Sequence, residues 1–136
     1  TAGERLGLLR RTRTVALVGA SANRARPSHF VATYLLSSST DYTVWLVNPR
    51  EREILGQPVY PSLAALPEPP DLVDVFRRPK DIDAHVDDIL TKHPAAVWFQ
   101  LGIRNDAAAE RLARAGIEVV QDRCLLVEVR KLRAES

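Results

Sequence analysis

The chain has 136 residues, 46% hydrophobic and 26% charged, with a formal net charge of +2 and a single cysteine, Cys124. Such a chain is long enough to bury a core, and the composition excludes a disordered, collagen-like or disulfide-stapled protein. No apolar stretch reaches the roughly 20 residues that span a bilayer, and no basic-then-apolar leader is evident, so no membrane contact and a cytoplasmic location are expected.

The charge is uneven. Residues 1–50 carry seven Arg against Glu4 and Asp41. A nucleic-acid surface is not expected from this excess, because Arg10, Arg11 and Arg13 precede an apolar run and have no aromatics between them. One cysteine cannot form an internal disulfide or, alone, a structural zinc site.

In chain order, Val15–Val18 is a β-branched apolar run closed by Gly19, the pattern of a strand buried on both faces. Pro27 suits a first helical residue, Phe30, Val31, Tyr34 and Leu35 recur at helical spacing, and Ser37–Ser39 should end that helix. Thr43–Val47 reads as a second strand stopped by Asn48-Pro49. Pro58–Pro61 is a further extended piece, followed by a short helical turn at Ser62–Leu66. Leu72–Phe76 is the third strand, and Ile82, Val86, Ile89 and Leu90 form the apolar stripe of a helix ending near His93-Pro94. Ala96–Phe99 is the fourth strand. Asn105 caps a helix that Gly116 terminates, Ile117–Val120 is the fifth strand, and Leu125–Leu132 makes a closing helix.

Strands alternating with helices imply a parallel sheet with right-handed crossovers. The expected fold is therefore α/β, a Rossmann-like three-layer sandwich on a five-stranded parallel sheet, ordered 3-2-1-4-5. Its ligands would lie at the carboxyl ends of the strands, at the switch between strands 1 and 4. One domain over residues 1–136 is expected, with a core from about 13 to 132.

The residues after each strand supply the candidate site. After strand 1, Gly19 allows a tight turn, Ala20 and Ser21 follow, and Arg26-Pro27-Ser28 opens a helix whose free N–H groups attract an anion. Arg26 can add a charge-assisted contact to phosphate. After strand 2, the acid that binds the ribose of NAD is missing, and Asn48, Pro49 and Arg50 stand there instead. Arg50, or Arg52 further on, suits an extra phosphate on the ribose, at the 2′ position in NADP or the 3′ position in coenzyme A. After strand 3, Phe76, Arg77 and Arg78 offer an aromatic surface and two cations. After strand 4, Gln100, Leu101 and Gly102 offer an amide and a permissive backbone, suited to a pantetheine arm.

Taken together, Gly19-Ala-Ser21, Arg26-Pro27-Ser28, Val47-Asn48-Pro49, Asp74–Arg78, Gln100-Leu101-Gly102 and Asp122-Arg123-Cys124 resemble the stand-alone CoA-binding-domain proteins, counterparts of the CoA-binding domain in the succinyl-CoA synthetase α subunit. The resemblance runs from about Arg13 to Leu132. It implies coenzyme A or an acyl-CoA as ligand, with pyrophosphate near Ser21, adenosine near Asn48–Arg50 and Phe76, and pantetheine near Gln100–Gly102. It implies no reaction: the synthetase's phosphorylated histidine lies in a further domain, and no catalytic residue is assigned here. His29, His85 and His93 form no nucleophile or metal pattern.

The leading expectation is thus a small non-catalytic or accessory CoA-binding module, with an acyl-CoA enzyme as a conceivable partner. The alternatives are an NADP-linked oxidoreductase and a partner subunit with a vestigial nucleotide pocket.

Overall fold

The computed structural model describes residues 2–37 and 41–134. Its elements are, in chain order, α1 (Ala2–Arg11), β1 (Thr14–Val18), α2 (Pro27–Leu35), β2 (Thr43–Val47), β3 (Glu53–Ile54), β4 (Gln57–Tyr60), β5 (Leu72–Val75), α3 (Asp83–Lys92), β6 (Ala96–Phe99), α4 (Asp106–Arg114), β7 (Glu118–Val120) and α5 (Leu125–Ala134). Short 3₁₀ turns at Leu63–Ala65 and Pro79–Asp81 complete the described chain. Ser38 and Ser39, part of the expected helix stop, lie outside the described residues.

All seven strands join one sheet in the order β3-β4-β2-β1-β5-β6-β7. Every neighbouring pair is parallel except the β3–β4 hairpin. This corrects the expected five strands and their order. The extended piece at Pro58–Pro61 enters the sheet as β4, pairing with β2 only at Leu46–Val59 and Val47–Tyr60. Proline is tolerated there because β4 pairs too briefly to need the missing N–H. The hairpin closes through Leu55 and Gly56, both at positive φ (53° and 73°), the geometry of a two-residue hairpin turn. With that hairpin holding the edge beside β2, the strand at Leu72–Val75 goes to the other side of β1. The switch in strand direction of travel therefore falls between β1 and β5 rather than between β1 and the strand at Ala96–Phe99.

Two apolar layers sandwich the sheet. Val15, Leu17, Leu46, Leu72 and Trp98 pack with Leu8 and Leu9 of α1, Val31 and Leu35 of α2, and Val129 of α5. On the other face Ala16, Val18, Val73, Val97 and Phe99 pack with Val86 and Ile89 of α3, Leu112 of α4 and Leu63. Odd and even positions of each strand divide between the layers, as strand alternation requires.

Helix α1 is absent from the sequence expectation. Gly3 and Gly7 dilute its helical signal, and it forms by docking: Leu8 and Leu9 are buried, and Arg5 pairs with the buried Glu128 of α5. The caps of α4 follow the sequence more closely. The Asn105 carboxamide accepts from the Ala108 N–H at 3.1 Å, and Gly116 leaves the helix at φ 87°.

One residue contradicts the layer chemistry. Asp74 sits mid-sheet in β5, in register with Leu17 and Trp98. It is fully buried, and neither carboxylate oxygen has a hydrogen-bond partner.

Candidate functional site

A cavity of about 1240 Å³ opens at the carboxyl edge of the sheet, over the ends of β1, β2, β5 and β6. Of the residues the sequence singles out, Gly19, Ser21, Arg26, Pro27, Ser28, Asn48, Pro49, Arg50, Phe76, Arg77, Gln100, Leu101 and Gly102 all line it. Ala20 does not: it is buried, its N–H donates to the Val47 carbonyl at 3.3 Å, and its own carbonyl accepts from Asn48 Nδ2 at 2.7 Å. Arg52, the alternative to Arg50, does not line the cavity.

The turn after β1 is built around Gly19. Its φ of 88° is a left-handed conformation, and a Cβ there would fall 2.8 Å from the Phe76 carbonyl oxygen and 3.2 Å from Arg77 Cδ. Only glycine fits both the angle and the space. Beyond it, Ser21 Oγ accepts from the Asn23 N–H and Asn23 Oδ1 accepts from the Ala25 N–H, each at 3.0 Å. These local turns carry the chain to α2 and leave the Ser21 hydroxyl proton available for donation. Arg26 stands at the N-cap of α2 without a side-chain capping bond, and Pro27 follows. Pro27 has no N–H and the His29 N–H already donates to the Arg26 carbonyl at 3.0 Å, so the Ser28 N–H and the positive end of the helix are what the first turn offers an anion at the cavity wall.

Asn48 lines the cavity and also holds two loops together. While its Nδ2 holds the Ala20 carbonyl, its Oδ1 accepts from the Arg50 N–H at 2.8 Å. It ties the β1 and β2 loops together and sets the course of Arg50. Gln100 is similarly committed: it is buried, and its Oε1 accepts from the Leu125 N–H at 3.1 Å, capping α5. Gly102 lies at φ 83° and donates its N–H to Asp122 Oδ1 at 2.7 Å. No atom lies within 4 Å of a Cβ built on it, so the turn angle and not a close approach calls for glycine. Leu101 beside it is 68% exposed, an uncovered apolar side chain at the rim. The loop at Asp122–Cys124 is fixed by that Asp122 contact and by Trp98 Nε1 donating to the Arg123 carbonyl at 2.8 Å.

Sequence reasoning missed one wall. Asp81, His85 and Asp88, together with Pro61, Ser62 and Leu63, line the cavity on the α3 side. Arg78 Nε meets Asp81 Oδ2 at 3.0 Å, and that bond holds the Asp81 carboxyl below its ordinary range. Burial first, then the Arg77 cation, lower the proton affinity of His85, with Asp88 and Asp81 opposing. The signal in the sequence was the three-residue spacing of His85 and Asp88, which places the two on one face of α3, with Asp81 in the 3₁₀ turn before it. Cys124 also lines the cavity and is half-buried. His29 and His93 do not line it.

Cation placement suits an anionic ligand. Arg26 and Arg50 are exposed and form no ion pair among the described residues. Arg77 carries a buried Nε that has no hydrogen-bond partner. The Gly19 and Ala20 N–H groups both donate to the Val47 carbonyl, so the donor hydroxyl of Ser21, the Ser28 N–H at the start of α2 and the unpaired guanidinium groups are what fit a phosphate-bearing molecule.

A mostly parallel α/β sheet with a cavity at its carboxyl edge defines a Rossmann-like protein. Residues 13–130 match the CoA binding domain family, and the chain belongs to it. It is 32% identical over 120 residues to the uncharacterized protein YneT of Bacillus subtilis, covering 88% of this chain and 87% of that one. It is also 32% identical over 123 residues to an ADP-forming acetate–CoA ligase of Archaeoglobus fulgidus, covering 83% of this chain but 18% of the ligase. Among solved structures, a Thermus thermophilus protein superposes with a TM-score of 0.89 at 40% identity, over 97% of this chain and 98% of that one.

Proposed function

We propose that this protein binds coenzyme A or an acyl-CoA in the carboxyl-edge cavity, as a small binding module without chemistry of its own. The pyrophosphate lies on the Gly19–Ser21 turn and the start of α2, with Arg26 beside it. Arg50 meets the 3′-phosphate, and Pro49 and Phe76 flank the adenosine. The pantetheine arm runs past Gln100–Gly102, where Leu101 offers apolar contact and the Gln100 amide nitrogen offers a donor.

The observation that carries this reading is the convergence on one cavity of the Ser21 hydroxyl, the start of α2 at Pro27-Ser28 and the unpaired Arg50. A cavity of about 1240 Å³ exceeds the usual range for drug-sized ligands, about 300–1,000 Å³, and suits an elongated cofactor. Membership of the CoA binding domain family supports the choice of cofactor. The ligase of Archaeoglobus fulgidus carries a related segment within a chain of which this one spans 18%, so ligase activity is not carried over.

Calorimetric titration with CoA, dephospho-CoA and NADP⁺ tests the reading. Saturable heat with CoA, weaker heat with dephospho-CoA and none with NADP⁺ is the expected pattern. Equal binding of dephospho-CoA removes the role given to Arg50, and heat with NADP⁺ alone overturns the assignment of ligand.

A further inference from the structure

Arg77 connects the two walls of the cavity. Its Cδ lies 3.2 Å from where a Cβ on Gly19 would stand, so its stem packs against the turn after β1. Arg77 and His85 of α3 line the same cavity, and the Arg77 charge disfavours the His85 imidazolium. The Arg77 Nε is buried and lacks a hydrogen-bond partner, and the side chain forms no ion pair among the described residues. An unpaired guanidinium at a glycine turn is a group waiting for an acceptor.

The half-buried His85 imidazole faces three charged groups: Arg77 from the end of β5, Asp81 from the turn before α3, and Asp88 one helical turn on. Asp81 is already engaged by Arg78. Burial and Arg77 prevail, so the free protein holds the imidazole neutral near pH 7. An anion seated on the Gly19 turn offsets the Arg77 charge. The balance at His85 then passes to Asp88 and Asp81, both of which favour the imidazolium.

We propose that seating a phosphate-bearing ligand on the Gly19 turn is coupled to proton uptake at His85, with Arg77 carrying the coupling between the two walls. This rests on the CoA reading above and adds to it a regulated affinity. The ligand binds more tightly as pH falls, and by reciprocity its arrival makes the α3 wall more cationic. His85 is a linked group here, not a catalytic one.

The test follows the His85 imidazole C–H resonance by NMR from pH 5 to 8.5, free and saturated with CoA, with His85→Gln supplying the assignment. The His85 midpoint should rise on saturation by about half to one pH unit, which corresponds to about threefold to tenfold tighter binding at low pH. Calorimetry should find that gain in the wild type beyond any in His85→Gln, a comparison that cancels titration of the ligand's own phosphate. In Arg77→Gln the free-state midpoint should already be raised and should move little on adding CoA. A midpoint that stays fixed while heats show CoA bound overturns the coupling and leaves the binding reading standing. Absence of both heat and resonance shifts overturns the binding reading, and the coupling with it.

Discussion

The two walls of the cavity are made in opposite ways. The α2 wall is one continuous stretch, residues 19–28, shaped by backbone: a glycine at φ 88°, two side-chain-to-backbone turns and a helix start. The α3 wall is assembled from separated segments, and its character comes from side-chain charge at Arg77, Arg78, Asp81, His85 and Asp88. A wall shaped by backbone does not titrate. A charged wall can change its state with pH, which is why proton-linked behaviour belongs on the α3 side.

The sharpest way to break this contrast is at Gly19. Gly19→Ala forces a Cβ to within 2.8 Å of the Phe76 carbonyl at a left-handed φ. A loss of about 3 kcal/mol in stability is expected, read by urea unfolding, together with loss of CoA binding. If Gly19→Ala unfolds at the wild-type urea midpoint and still binds CoA, the backbone account of the α2 wall is wrong.

Asp74 yields the next largest effect, through pH. Burial raises its proton affinity well above the usual carboxylate range, so the folded state holds a neutral acid while the unfolded chain ionises. A raised folded-state value means that stability falls as pH climbs above about 4, the unfolded value, and continues to fall until the folded-state value is passed. The slope in that window is about 1.4 kcal/mol per pH unit. Asp74→Asn should flatten this dependence and be the more stable protein at pH 8. Parallel stability curves for the two proteins would show that Asp74 titrates alike in both states.

Arg50→Ala should weaken CoA about tenfold, the worth of one charge-assisted bond, and reduce the preference over dephospho-CoA. Calorimetry with both ligands separates this from a general loss of binding. Gln100→Ala removes the Oε1 acceptor from the Leu125 N–H, and about 1 kcal/mol of stability should go with that cap. The smallest effect belongs outside both walls. Arg111→Ala breaks an exposed pair with Asp87 and should change stability by less than about 0.5 kcal/mol, with CoA binding unchanged.

How far the sequence reveals this protein depends on what encodes each part. The glycine turn, the proline at the start of α2 and the Asn48-Pro49 stop are local patterns, and the structure gathers their residues round the cavity. Helix α1 is not local: it is held by Leu8, Leu9 and an Arg5–Glu128 pair that spans nearly the whole chain. Strand order escaped for a related reason, since a two-residue turn at Leu55-Gly56 turns a proline-containing segment into a sheet edge and displaces β5 to the far side of β1. The roles of Asn48 and Gln100 were similarly hidden. Their positions after strands were legible, but their hydrogen bonds reach residues 28 positions back and 25 positions ahead. Asp74 was visible only as part of a pattern, because periodicity places a residue on a face without showing whether a partner waits there.

The central claim is that one cavity at the carboxyl edge receives coenzyme A. Amide chemical-shift mapping of the ¹⁵N-labelled protein on titration with CoA tests it most directly. The account predicts saturable shifts concentrated at Gly19–Ser28, Val47–Arg50, Phe76–Arg78 and Gln100–Gly102. Shifts centred instead on the second, smaller cleft between α1 and β7, around Arg5 and Glu118–Gln121, would contradict it, as would a spectrum that CoA leaves unchanged.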